Sequence, residues 1–377
     1  MKKLRVCVLA MFLAVAMGVP SLPAQGAEVE ITAPAAVVME ASTGRVLYEK
    51  NPHEIRPCAS ITKVMTLCLT MEAIESGQLS LDQTLTASAH AASMGGSDIW
   101  LKEGESMTVD DLLKATVIMS ANDAAVVLAE AVAGSEDAFV AAMNEKAKSL
   151  GMEDTVFLNC NGLDEEGHVT SAYDVALMSR ELITHKKIFD YTLTWIDYVR
   201  DGETQLVNTN KLIRSYPGIT GLKTGTTSQA GSCITATAQR DGLELIAVVL
   251  GADSTEHRFQ DAATLLDYGF AGWKVTVPEA PELSRVPVQG GMSPDVGAQA
   301  GESPKLLLEA GTTGEVEEEI QWEELTAPVH VGDVIGRVRY TLEGEELAQV
   351  EITATEEVPE VTFSRAFFYL LENLFSL

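Results

Sequence analysis

Ser60 and Lys63 stand three residues apart in Ala59-Ser60-Ile61-Thr62-Lys63, at the head of the apolar run Val64-Met65-Thr66-Leu67-Cys68-Leu69. Positions i and i+3 of a helix are neighbours on one face, which brings Ser60 Oγ and Lys63 Nζ within hydrogen-bond reach. A serine hydroxyl is a poor nucleophile until a base takes its proton, and an unprotonated lysine can be that base. The first turn of a helix also offers free backbone N–H groups that stabilise a nearby oxyanion. Ser-x-x-Lys is a short pattern that arises by chance at ordinary composition, so its meaning depends on what accompanies it.

The 377 residues suffice for two or three domains with a sizeable core. A content of 46% hydrophobic and 21% charged residues is that of a globular chain. The net charge of -29 argues against nucleic acid or polyphosphate as a partner. Lys2, Lys3 and Arg5 precede the apolar run Val6 to Val19, and small residues cluster between Ala24 and Ala27. This is the pattern of a secretory signal over residues 1–26, too short to span a bilayer. Cys58, Cys68, Cys160 and Cys233 follow it, and no pair has metal-ligand spacing. No metal and no cofactor is expected. Cys68 and Cys58 read as small packing residues, and no histidine is placed to activate Cys58.

Ala35 to Glu40 and Arg45 to Tyr48, around Ser42-Thr43-Gly44, predict a β-hairpin. Helical spacing of Val64, Leu67, Cys68, Met71 and Ile74 predicts a helix from Ser60 that Gly77 ends. Thr108 and Asp111 resemble a capping box for a helix from Val109 to Met119. Ser120-Ala121-Asn122 then falls on the connection to a second helix, from Asp123 to near Gly134. Further helices are predicted from Ser135 to Leu150, from Thr170 or Ser171 to Ile183, and from Thr255 to Tyr268, with Gly269 ending the last. Ile219 to Lys223, Cys233 to Gln239 and Leu243 to Gly251 read as strands, the latter two joined by Arg240-Asp241-Gly242. Strands at both ends with helices between imply an antiparallel sheet holding an inserted helical unit. From Val275 to about Glu357 short β runs rich in Pro and Gly predict a small all-β domain, with the acidic run Glu315 to Glu319 on a solvated edge. Phe363, Phe367, Leu370, Leu374 and Leu377 share one helical face of the last segment, opposite Arg365, Glu372, Asn373 and Ser376. Such a helix is too short to cross a bilayer and suits its interface.

Three elements thus stand in order: Ser60-Ile61-Thr62-Lys63, Ser120-Ala121-Asn122 and Lys223-Thr224-Gly225. The trio is the mark of penicillin-binding proteins and class A β-lactamases. With the stretches "ASITKVMT", "IMSANDAAVVLAE", "NGLDEEGHVTSAYDVALMS", "GLKTGTTSQAG" and "APVHVGDVIGRV", the chain resembles the low-molecular-weight penicillin-binding proteins, the serine D-alanyl-D-alanine carboxypeptidases of peptidase family S11. The resemblance implies an α/β (α+β) penicillin-binding/β-lactamase-like transpeptidase domain over 27–274, a β-rich domain over 275–357 and a membrane-anchoring amphipathic helix over 358–377. It also implies an exported enzyme at the outer face of the cytoplasmic membrane, in the periplasm or cell wall space. Its substrates would be peptidoglycan stem peptides ending in D-Ala-D-Ala, and β-lactams its covalent inhibitors.

Carried over residue by residue, the resemblance makes Ser60 the nucleophile, Lys63 its base and Ser120 the proton relay to the leaving amine. Asn122 would bind the substrate backbone. Lys223, Thr224, Gly225 and Thr226 would line the carboxylate end, with Arg258 from the closing helix. The N–H groups of Ser60 and Thr226 would form the oxyanion hole. Free lysine titrates near 10.4, and the charge of Lys223 nearby would lower Lys63 and keep it uncharged, in a partly desolvated cleft. A second family arginine that lies between two asparagines is replaced here by Thr209, in Asn208-Thr209-Asn210. Asp174 and His168 are assigned structural roles. A β-lactamase would need Glu-x-x-Leu-Asn; Leu158-Asn159 is present, but Thr155 stands where the glutamate would be. The same fold could also carry a DD-endopeptidase or a non-catalytic wall-binding protein.

Overall fold

Asp241 and Gly242 both adopt positive φ, 48° and 84°, which is the requirement of the two-residue turn that matches strand twist. They join the strands Gly231–Arg240 and Leu243–Ala252. In the computed structural model, which describes residues 29–374 with side chains through residue 369, this hairpin is the middle of a five-stranded antiparallel sheet. The order is Val46–Lys50, Ala35–Glu40, Leu243–Ala252, Gly231–Arg240, Ile219–Thr227. The first strand of the domain therefore pairs with its last, Val37 opposite Val248. The expected signal segment lies outside the described residues, as do Ser376 and Leu377 of the tail.

Strand alternation distributes the core. Ala35, Val37, Met39, Ile246 and Val248 face the helical unit, while Ala36, Val38, Leu245, Ala247 and Val249 face the closing helix with Leu265 and Leu266. The fold is thus the expected α+β sheet with inserted helices. The helix Lys63–Glu75 is buried on nearly every side, beyond the stripe the spacing predicts, with Met65 and Thr66 also enclosed. Serine and threonine caps lie where the sequence puts them: Thr108, Ser135 and Ser171 accept from the N–H of Asp111, Ala138 and Asp174.

Two expected helix boundaries are corrected. The run from Val109 is α-helical only to Lys114 and continues as a π turn, Ala115–Met119, before Ser120. The closing helix runs through Gly269 to Gly272. A Cβ on Gly269 would stand 2.5 Å from Leu245 Cδ1, so this glycine lets the helix lie close on the sheet rather than ending it. The helix stops where Trp273 turns extended and pairs with Glu309.

That pairing, Trp273–Thr276 with Leu306–Glu309, leads into the β-rich region. There Ala298–Ala300, Glu345–Ala354, Val334–Leu342 and Glu317–Trp322 form a four-stranded sheet over a core that includes Val296, Val338, Tyr340 and Ile352. The acidic residues Glu317, Glu318 and Glu319 lie exposed on its edge strand, where charge discourages pairing with another chain. The last helix, Phe363–Leu374, leaves Phe363, Phe367 and Phe368 exposed. No helix among the described residues is long and apolar enough to cross a membrane.

The N-terminal segment is tied to the closing helix by one carboxylate. Asp261 accepts from Thr32 N, Thr32 Oγ1 and Ala33 N, the last at 2.8 Å. Asp261→Ala leaves the buried Ala33 N–H unpaired and removes the acceptor of the exposed Thr32, and should cost about 1–2 kcal/mol, read as a lower urea midpoint at unchanged m-value.

Candidate active site

Ser60 sits on a 3-10 turn, Ala59–Thr62, that runs directly into the helix Lys63–Glu75. Ala59 is left-handed at φ 50°, an uncommon state for a residue with a Cβ. A short relay holds this turn. Leu158 N donates to His168 Nδ1 at 3.1 Å, which leaves the ring proton on Nε2. His168 Nε2 lies 2.8 Å from Thr62 Oγ1, and Thr62 Oγ1 donates to Ala59 O at 2.9 Å. Burial lowers the His168 pKa, against the opposing charges of Glu165 and Asp164. His168 is thus a neutral strut behind the turn.

Lys63 is wholly buried, and its Nζ has three neighbours: Ser60 Oγ at 3.1 Å, Asn122 Oδ1 at 2.5 Å and Asn161 O at 2.7 Å. Two of these only accept. A neutral amine gives one N–H to each and turns its lone pair to the Ser60 hydroxyl. Burial lowers the Lys63 pKa to about 7, against the charges of Cys160, Asp98 and Asp123. From an ordinary lysine that amounts to about 5 kcal/mol of lost preference for the ammonium form. The expectation that Lys223 drives this shift is corrected: desolvation is the principal cause. The mutual repulsion shows on Lys223, whose pKa burial, Lys63 and Arg258 hold well below the lysine range.

Ser120 follows the π turn in a left-handed conformation, φ 67°. Such turns inside helices are frequent at functional sites. Its Oγ is buried with no hydrogen-bond partner, a costly state for a hydroxyl unless something else completes it. Asn122 is held on three sides: Asn122 N donates to Ser97 O, Nδ2 to Gly95 O, and Oδ1 accepts from Lys63.

Lys223, Thr224, Gly225 and Thr226 lie on the edge strand Ile219–Thr227. A Cβ on Gly225 would stand 2.8 Å from Cys58 O and 3.0 Å from Ser60 N, so glycine allows the strand to press against the Ser60 turn. Lys223 Nζ donates to Thr224 O at 2.9 Å. Thr224 Oγ1 donates to Thr209 Oγ1 at 2.7 Å; the residue that replaces an arginine thus orients a hydroxyl of the edge strand. Arg258 Nη1 reaches Thr226 Oγ1 at 2.7 Å and Gly225 O at 3.1 Å. Burial lowers the Arg258 pKa. The three sequence elements therefore meet: the Ser60 turn touches the helical unit through Lys63 and the edge strand through Gly225.

Asn161 and Gly162 carry parts the residue types did not announce. Asn161 acts through its carbonyl, which any residue could supply. Gly162 has φ 84°, and a Cβ there would fall 2.0 Å from Ala59 O. Cys58 is no rival nucleophile: burial pushes its thiol up to about 12. All four described cysteines are free. Away from the cleft, Glu72, Glu181 and His185 bring ligand atoms within 4.8 Å of one another. Lys146 Nζ lies 2.5 Å from both carboxylates and already balances them.

A family model described as D-alanyl-D-alanine carboxypeptidase matches residues 22–254. The chain belongs to this family. A second model, the penicillin-binding protein 5 C-terminal domain, matches residues 277–360. The chain is 40% identical to D-alanyl-D-alanine carboxypeptidase DacF of Bacillus subtilis, over 88% of this chain and 87% of that protein. It is 33% identical to DacC of Escherichia coli, over 88% and 86%. Among solved structures, penicillin binding protein 5 of Haemophilus influenzae superposes with a TM-score of 0.76 at 28% identity, covering 88% of this chain and 98% of that one. Penicillin-binding protein D2 of Listeria monocytogenes, in its ampicillin-bound form, gives 0.60 at 36% identity, covering 65% and 100%.

Gly162→Ala should move the Ala59–Ser60 turn, because a backbone carbonyl cannot yield as a side-chain end can. Loss of more than about 2 kcal/mol of stability and a large drop in labelling by fluorescent penicillin are the expected readings.

Proposed function

We propose that the chain is a serine DD-carboxypeptidase that removes the terminal D-alanine from peptidoglycan stem pentapeptides through an acyl-Ser60 intermediate. The observation that carries the reading is a buried, uncharged-leaning amine, Lys63, 3.1 Å from Ser60 Oγ. Lys63 takes the Ser60 proton as Oγ attacks the carbonyl carbon between the two D-alanines. The N–H groups of Ser60 and Thr226 receive the developing oxyanion. Ser120, with its unpartnered hydroxyl, hands a proton to the departing amine as the C–N bond breaks. Asn122 orients the acyl-side amide. Water then cleaves the ester, with Lys63 again serving as base, and Ser60 is restored.

The leaving D-alanine carries a carboxylate. Thr224, Thr226 and Lys223 on the edge strand receive it, and Arg258 acts through Thr226 Oγ1. A β-lactam presents a strained amide and a carboxylate to the same groups. It acylates Ser60 but releases no amine, because the broken bond lies in its ring. Rapid deacylation of that ester would need a general base beside the water. Thr155, where a β-lactamase glutamate would stand, has its hydroxyl committed to Thr170 and to Asp174 at 2.7 Å. This favours the carboxypeptidase over the β-lactamase and gives Asp174 its structural role.

The catalytic unit spans 27–274 and the β-rich domain 275–357, although the strand Trp273–Thr276 straddles that boundary. The amphipathic segment 358–377 holds the exported enzyme against the outer face of the cytoplasmic membrane. Its exposed Phe363 and Phe367 supply the apolar face.

Four measurements test the reading. Ser60→Ala should abolish covalent labelling by penicillin, and acylation of the unaltered protein should rise with pH through about 7, as Lys63 loses its proton, then level off. Chelator should leave the rate unchanged. Because Arg365 is the tail's one Lys or Arg, flotation with neutral phosphatidylcholine vesicles should persist at high salt and vanish when residues 358–377 are removed.

A further inference from the structure

Trp100 is the most exposed tryptophan, at 73%, and its backbone is left-handed, φ 55°. For a bulky residue that conformation is strained and persists only where its surroundings enforce it. They do so here. Its neighbours Ile99 and Leu101 are buried. Their N–H groups both donate to the buried Asp123 carboxylate, at 3.2 and 2.9 Å, and Arg200 Nη1 donates to Ile99 O at 2.8 Å. The flanks are bolted down and the indole is turned outward. No packing gain offsets the strain.

The ring borders an open groove of about 600 Å³ shared with Lys102, Glu103, Glu105, Arg200 and Glu203. Both walls are tied to residues of the cleft. Ser97, three residues before Trp100, accepts from Asn122 N at 2.6 Å. The hairpin that carries Arg200 and Glu203 leads to Thr209, bonded to Thr224. Ile99 and Leu101, on either side of Trp100, are bonded to Asp123, so the ring lies beside the helix start that carries Asn122. The four acyl-side residues of an extended stem pentapeptide span roughly 14 Å, long enough to carry what precedes them beyond Asn122 to the neighbouring groove. What arrives there is the amino sugar that bears the peptide. An aromatic face for the C–H face of a pyranose, ringed by carboxylates and cations for its hydroxyl and amide groups, is the chemistry that recognises such a unit.

We infer that Trp100 and its groove bind the sugar at the head of the stem peptide and favour substrates still attached to the glycan. The inference rests on the carboxypeptidase reading. Its test compares kcat/KM for a disaccharide pentapeptide with that for the same pentapeptide lacking sugar, measured as D-alanine release. Trp100→Ala should lower this ratio about tenfold, mainly through KM for the glycosylated substrate, and Trp100→Phe should restore most of it. Trp100→Gly should lower the ratio while raising Tm, because glycine adopts φ 55° without strain. An unchanged ratio in Trp100→Ala, or equal losses on both substrates, would overturn the inference, as would a fall in Tm for Trp100→Gly. Failure of the unaltered protein to release D-alanine from either substrate would instead defeat the carboxypeptidase reading.

Discussion

The desolvation of one amine governs the site. Lys63 sits at the head of a helix enclosed on nearly every side, and removing it from water makes its charged form expensive. Everything around it fits an amine that carries a lone pair: two acceptors take its hydrogens and a hydroxyl faces what remains. The surrounding carboxyl charges of Asp98 and Asp123 work the other way, so the balance near neutrality is a compromise rather than an extreme. A fully hydrophobic pocket would leave too weak a base, and a solvated one would leave no base at all.

Three irregular backbone positions lie close to this site. Ala59, Ser120 and Trp100 are left-handed, and the first two flank the chemistry directly. Each is held by contacts that the rest of the fold supplies: the His168–Thr62 relay, the π turn, and the Asp123 carboxylate. Asp123 sits in the first turn of the helix that begins with Asn122. One short helix start therefore sets both the amide that meets Lys63 and the loop that displays Trp100.

Much of this is readable from residue types. The Ser60–Lys63 spacing, the serine caps, the Asp241-Gly242 turn and the order of the three elements all depend on local rules, and local rules are written in neighbouring residues. What escapes depends on distant ones. Gly269 looks like a helix terminator until the sheet beneath it is seen. The π turn at Ala115–Met119 has no compositional mark. Asn161 contributes a carbonyl that every residue owns. The cause of the Lys63 shift is misassigned from sequence because a neighbouring charge can be guessed from a motif, whereas depth of burial is a property of the whole domain.

The pairing of Ala35–Glu40 with Leu243–Ala252 joins segments some two hundred residues apart. A chain is made from its amino end, so the first strand must wait, unpartnered on one side, until nearly the entire unit has been synthesised. The edge strand that presses on Ser60 through Gly225 also arrives late. A half-made molecule can thus own its serine and its lysine yet lack the clamp that aligns them, which postpones the site's chemistry until the unit is complete.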